Sequence, residues 1–171
     1  MNILALDLGT HCGWALLTHG RIESGVQIFD VKRGESPGMR FLRFRRWLEE
    51  MTAHARTPVN LVVYEQPHHR GGAATEVAVG FSTRVQEQCA AVSIEHAAVH
   101  SATLKKFTTG DGRADKAAML HHAMSRGWLN HGTSGGCGED EVDAVCVLRW
   151  AMETIVGPTK TNERVSPAQV T

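Results

Sequence analysis

Apolar residues in the first part of the chain recur with the period of strands. Asn2 to Leu8 is rich in Ile, Leu and Ala and ends at Asp7-Leu8-Gly9-Thr10, the pattern of a buried strand. Cys12 to Thr18 is a second apolar strand, followed by the turn signal His19-Gly20. From Arg21 to Phe29, Ile22, Ser24, Val26 and Ile28 alternate with Arg21, Glu23, Gly25 and Gln27, a third strand half exposed to solvent. The connections are short, so the three form an antiparallel meander. After the polar stretch Lys32 to Pro37 the period changes. Phe41, Phe44, Leu48 and Met51 recur at helical spacing beside Trp47, with Arg40, Arg43, Arg46, Glu49 and Glu50 opposite, predicting an amphipathic helix from about Gly38 to Ala55.

Val59 to Glu65 reads as another buried strand, stopped by Pro67. Ala73 to about Ile94 reads as a long helix, and Glu95 to His100 as a short fifth strand. Gly80 inside that helix is unfavourable by about 1 kcal/mol relative to Ala, which predicts a second helix packed closely on it. Ser101 to Gly112 holds a helical turn and then a glycine-rich loop. Ala114 to Arg126 is a helix, Gly127 to Gly138 a loop, and Asp140 to Ile155 a last, largely apolar helix. This order predicts an α/β domain on a mixed five-stranded sheet, three antiparallel strands followed by two parallel to the first, flanked by helices. The domain covers residues 1–156. Residues 157–171 turn to Pro, Thr, Asn and Ser and read as a loosely held tail.

Composition narrows the class. A chain of 171 residues with 42% hydrophobic and 21% charged residues is long enough for one ordinary core and is not a disordered sequence. No apolar run approaches the length of a membrane span, and Met1-Asn2-Ile3 leads into a strand without the pattern of a signal peptide. Cys12, Cys89, Cys137 and Cys146 lack CxxC spacing and read as reduced thiols of a cytoplasmic protein, neither a disulfide framework nor a zinc site. The net charge is zero, from 18 Lys+Arg against 18 Asp+Glu, but it is unevenly spread. Acid gathers toward the C-terminus, and short basic clusters lie upstream at Arg40-Arg43-Arg45-Arg46, Lys105-Lys106 and Arg113-Lys116. Local basic patches around an acidic pocket suit a metal-dependent enzyme acting on a phosphate polymer, although solvated charges on helix faces give the same composition.

Four acids occupy costly places. Asp7 lies between Leu6 and Leu8 in an apolar strand, where an ionised group needs a partner or a metal unless it only caps the following turn. Glu65 ends the strand Leu61-Val62-Val63-Tyr64, at the carboxyl end where α/β sheets open to ligands. Asp140 and Asp143 are three residues apart at the start of the last helix and share a face. Acids in a first turn favour the helix dipole, which is explanation enough for Glu139, Asp140 and Glu141. Asp143 stands further in, ahead of Ala144-Val145-Cys146-Val147-Leu148, and is expected to face the interior. If Asp7 and Glu65 sit on neighbouring strands under that helix, the four acids converge, and their repulsion is relieved by hard divalent cations, Mg²⁺ or Mn²⁺.

These segments resemble those of the RuvC-like Holliday junction resolvases of the RNase H-like superfamily, in a short form like those of bacteriophages or prophages. The resemblance rests on Ile3-Leu4-Ala5-Leu6-Asp7-Leu8-Gly9-Thr10 with Gly13-Trp14-Ala15, and on Leu61-Val62-Val63-Tyr64-Glu65-Gln66-Pro67. It continues with Thr109-Gly110-Asp111-Gly112-Arg113-Ala114-Asp115-Lys116 and Asp140-Glu141-Val142-Asp143-Ala144, in the family's order over roughly residues 1–155. It implies an RNase H-like fold and a crossover junction endodeoxyribonuclease that hydrolyses phosphodiester bonds. Asp7, Glu65, Asp140 and Asp143 would be its catalytic metal ligands, for two Mg²⁺ or Mn²⁺ ions. It further implies DNA contacts from Lys116, Arg113 and one of Lys105 or Lys106. The loop after Glu65 would probe the junction centre, here with His68, His69 and Arg70 where an aromatic wedge is expected. A homodimer paired through the long helix, with small residues Ala73, Ala74, Ala78 and Gly80, also follows from the resemblance.

Thr10 and Trp14 are expected to line the site, Trp128 and Trp150 read as core aromatics, and His131 reads as an ordinary loop residue. The rival functions are an RNase H-like nuclease processing structured RNA and a catalytically idle junction-binding protein. An actin-like ATP-binding module shares the first motif but needs a second domain.

Overall fold

A computed structural model describes residues 1–53, 58–68, 71–129 and 138–157. Its elements run β1 (Ile3–Asp7), β2 (His11–Thr18), β3 (Arg21–Ile28), α1 (Met39–Thr52), β4 (Leu61–Glu65), α2 (Ala73–Ala91), β5 (Glu95–Val99), α3 (Ser101–Thr109), α4 (Lys116–Ser125) and α5 (Glu139–Ala151). The five strands form one sheet in the order β3-β2-β1-β4-β5. β1 pairs antiparallel with β2 and β2 with β3, while β4 runs parallel to both β1 and β5. The mixed sheet is the one predicted, because hairpin-length links force antiparallel neighbours and helical crossovers return parallel ones.

Alternation along the buried strands divides the core in two. Ile3 and Ala5 of β1 and Leu61 and Val63 of β4 pack with α3, α4 and α5. Their neighbours Leu4, Leu6, Val62 and Tyr64 point the other way, toward α1 and α2. The second layer is aromatic: Phe29, Phe44 and Phe81 are buried together, and the Phe44 and Phe81 rings stack at 4.1 Å. Gly80 has the close helix neighbour predicted for it. A Cβ at that position would stand 2.3 Å from a Phe41 ring carbon of α1, so this residue packs inside the chain and does not belong to a free face of α2.

Several boundaries differ from expectation, the largest differences being in α2, α3 and α5. The segment from Ser101 is a nine-residue helix and not a single turn before a loop. Leu104 and Thr108 on one face are buried, and Thr109 donates its hydroxyl to the Lys105 carbonyl, so the threonines that argue against a helix are accommodated. The helix stops at Gly110, left-handed at φ 88°, whose amide bonds back to the Lys106 carbonyl. At the end of α2, Ser93 takes a positive φ and the Ile94 amide bonds to Cys89, so α2 closes at Ala91 and not at Ile94. The last helix is α-helical to Ala151 and widens into a π turn over Met152–Val156. Of the predicted tail only Gly157 is described; residues 158–171 lie outside. No described helix is long and apolar enough to cross a membrane.

Candidate active site

The site forms where the two-residue period of the strands meets the first turn of α5. The β1–β4 ladder runs from Ile3 opposite Leu61 to Leu6 opposite Tyr64. The next step sets Asp7 beside Glu65 at the carboxyl ends of both strands, on the α5 face by alternation. On the other side of β1, Gly13 of β2 pairs directly with Asp7. A Cβ on Gly13 would lie 1.8 Å from the Asp140 carbonyl oxygen and 2.4 Å from its carbon. The missing side chain is therefore the gap that lets the α5 backbone settle on the sheet next to Asp7. Ser24 of β3 fastens the same turn, donating its hydroxyl to Glu141 at 2.6 Å.

Lys116 comes to this turn from α4. The loop before it is locally determined: Gly110 closes α3, the Arg113 amide bonds to the Asp111 carboxylate at 2.9 Å, and Asp115 caps α4 by accepting from the Ala118 amide at 2.8 Å. The Lys116 ammonium then lies 3.3 Å from Glu139 and 3.7 Å from Asp143.

The acids act on one another electrostatically. Half-buried Asp7 is pushed up to about 8, first by burial and then by the negative charges of Asp143, Glu65 and Asp140, with Lys116 opposing. Asp143 is pushed up to about 6 by burial; Lys116 pulls it down, while Glu65, Asp140 and Glu139 push it up. Burial disfavours the Lys116 charge, yet Asp143 and Glu139 hold the ammonium above its ordinary value. Buried Cys12 and Cys146 are both pushed up, Cys146 to about 12, so neither offers a thiolate.

The acids open onto two hollows. One of about 310 Å³ is lined by Asp7, Gly9, Thr10, Glu65, Pro67 and His68, together with the start of α2. Another of about 180 Å³ lies between α4 and α5, lined by Lys116, Leu120, Glu139 and Asp143. Among the described residues no three carboxylate, imidazole or thiol groups stand close enough to clasp a single ion as the side chains lie. The donor set nevertheless fits a hard divalent cation: every candidate ligand is a carboxylate, and burial makes Asp7 costly to ionise, a cost that a bound cation would remove.

The residues expected to contact nucleic acid divide into groups. Lys116 joins the acids, and His68 does so from the β4 end, its Nε2 3.9 Å from Glu65. Lys106 and Arg113 are exposed and Lys105 is half-buried, and none of the three is ion-paired with a described residue. His69, Arg70 and His131 lie outside the described residues. On α1, Arg43 is held by Glu35 and the Asp30 carbonyl, while Arg45 and Arg46 face Glu49 and Glu50 one turn on, so much of that helix's basic charge is compensated internally. Two site residues escaped the sequence reading. Gly13 carried a signal, a glycine inside an apolar strand marking close backbone approach. Glu139 carried none, since the helix dipole explains it equally well.

No family model and no curated protein matches this sequence. Solved structures do. The chain superposes on the Thermus thermophilus RuvC structure with a TM-score of 0.65 at 17% identity, over 86% of this chain and 90% of that one. Against T. thermophilus RuvC in complex with Holliday junction substrate the TM-score is 0.66 at 16% identity, with the same 86% and 90% coverage. The chain thus has an RNase H-like α/β fold of the RuvC kind.

Proposed function

We propose that this protein is a structure-selective endodeoxyribonuclease that resolves four-way DNA junctions, and cuts other branched DNA, by divalent-metal-dependent hydrolysis. The observation that carries the reading is the electrostatic meeting of Asp7, Glu65, Asp140 and Asp143, which come from β1, β4 and α5. Structural folds need no such crowding of like charge, and a phosphodiesterase does. The likeness in fold to a protein solved with a Holliday junction supports the substrate class.

In this reading Asp7, Glu65, Asp140 and Asp143 would hold Mg²⁺ or Mn²⁺, two ions per site. Such ions, when bound, acidify water and neutralise charge developing on a phosphate. The remaining roles belong to the chain. Lys116 holds a phosphate at the rim of the acids, and Lys105, Lys106 and Arg113 contact the backbone further along. His68, beside Glu65, would face the junction centre, where an imidazole can stack on unpaired bases, and His69 and Arg70 follow it in the sequence. A homodimer suits the approximate two-fold symmetry of a four-way junction, and the exposed Ala73 and Ala74 at the start of α2 are the small residues free to meet a partner. The catalytic domain covers residues 1–156 and works on DNA in the cytoplasm; its short, divergent sequence suits a phage or prophage form.

The test is incubation with an immobile four-way junction, a matched duplex, a single strand and a structured RNA, each with Mg²⁺, Mn²⁺ or EDTA. Paired nicks confined to the junction, present with either metal and absent in EDTA, are expected. Preferential cleavage of the RNA would overturn the reading in favour of RNA processing. Junction binding without cleavage under any metal would reduce the protein to an idle binder.

A further inference from the structure

The first turn of α5 carries Glu139, Asp140 and Glu141, and a favourable helix dipole would account for all three alike. Their partners separate them. Glu141 is bonded to Ser24, Asp140 lies against Gly13 and acts on Asp7, and Glu139 alone reaches across to α4, where it meets Lys116. Lys116 thus stands between two carboxylates of unequal setting. Glu139, at 3.3 Å, has a side chain 71% exposed, whereas Asp143, at 3.7 Å, is only 18% exposed. An ammonium left to choose would favour the more buried charge, where water screens the attraction least. It would then occupy the side of Asp143 that a divalent cation needs. The exposed pair with Glu139 is weak in free energy, as solvent-exposed pairs are, so it can hold the ammonium and still release it to a phosphate.

We propose that Glu139 is a positioning residue that draws the Lys116 ammonium off Asp143, keeping the acid open to a divalent cation and the ammonium at the rim for a substrate phosphate. The inference rests on the metal-dependent reading above. It assigns Glu139 no contact with metal or DNA. Its action runs wholly through Lys116, and the hollow between α4 and α5, lined by Lys116, Glu139 and Asp143, is the space in which the exchange takes place.

Mn²⁺ binding to the intact protein, followed by the spectroscopic signal of free Mn²⁺, tests this without any cleavage. Removing the Glu139 charge is expected to weaken Mn²⁺ binding about three- to tenfold in Glu139→Gln, roughly 0.7–1.4 kcal/mol by the usual conversion. General loss of negative charge near the site would weaken binding too, so the deciding comparison is made in Lys116→Met. There, Glu139→Gln should change Mn²⁺ affinity by less than twofold, because no ammonium remains to be drawn away. Equal weakening in both backgrounds would overturn the proposal and leave Glu139 as background charge. An unchanged affinity in Glu139→Gln alone would overturn it as well. Failure of the parent protein to bind Mn²⁺ at all would instead sink the metal-dependent reading beneath it, and circular dichroism of each variant separates either result from misfolding.

Discussion

The two faces of the sheet are built from the same strands and serve opposite ends. Toward α1 and α2, successive outward steps place Leu4, Leu6 and Tyr64 against Phe29, Phe44 and Phe81, a layer of large rings with few polar groups. Toward α5, the layer is aliphatic, with Ile3, Leu61 and Val63 packed against Val145 and Leu148, and near the carboxyl end it narrows to Ala5, Ala15 and Gly13 before the row ends in Asp7 and Glu65. Large side chains fill distance and stabilise by burial. Small ones remove distance and let a helix backbone approach the sheet. At its carboxyl end the α5 face narrows to small residues, so that three segments of chain bring their carboxylates together there, while the aromatic face carries no such group of acids.

Breaking the charge is the most severe test of this division. Asp7→Asn keeps the shape and removes one ligand, so junction cleavage under Mg²⁺ should fall by about a thousandfold or more, in the range of essential catalytic groups. Binding of an uncut junction in Ca²⁺ should change little, as gel retardation would show. Cleavage at the parental rate would mean that the convergence of acids does not do chemistry.

Breaking the close approach comes next. In Gly13→Ala the new methyl meets the Asp140 carbonyl at 1.8 Å, a backbone atom that cannot swing aside. The first turn of α5 must lift, and a displacement of that order costs about a hundredfold in cleavage, with about 1–3 kcal/mol of stability lost to overpacking. A buried ring of α1 gives the contrast on the other face. Phe44→Ala empties a fully buried ring from the aromatic layer and should cost about 3–5 kcal/mol. Cleavage per folded molecule should nevertheless stay within a few-fold of the parent, measured below the lowered melting temperature. A hundredfold loss there would show that the faces are not independent.

How far all this could be read in advance follows the same line. Strand periods, the order of crossovers and the two faces were legible because burial repeats along the chain, and so each acid's position on an element could be named. Asp7, Glu65 and Asp143 stood out because an apolar context makes a charge conspicuous. What could not be read was contact between elements far apart in sequence. Nothing near Gly13 says that Asp140 lies above it, and nothing near Glu139 names Lys116. Helix α3 was underestimated for a different reason: its threonines and following glycines weigh against a helix locally, and burial of Leu104 and Thr108 overrides them.

The smallest effect expected is also the one that isolates the cost of the charged face from its use. In metal-free protein Asp7 holds its proton up to about pH 8, far above the 3.8 of an ordinary aspartate. Between those values the folded state binds more protons than the unfolded one, so by linkage stability must fall as pH rises through that window and level off above it. Asp143, pushed up to about 6, adds to the lower half of the same slope. Melting in EDTA should therefore come a few degrees lower at pH 8.5 than at pH 5.5. Other groups titrate as well, so the informative quantity is the difference between the parent and Asp7→Asn, whose amide has no charge to lose. The variant should already melt above the parent at pH 5.5 and lead it by more at pH 8.5, and millimolar Mg²⁺ should raise only the parent at the higher pH. If the two proteins melt in parallel across the range, Asp7 is not under strain from its neighbours, and the contrast between a face that stabilises and a face that gathers charge loses its electrostatic half.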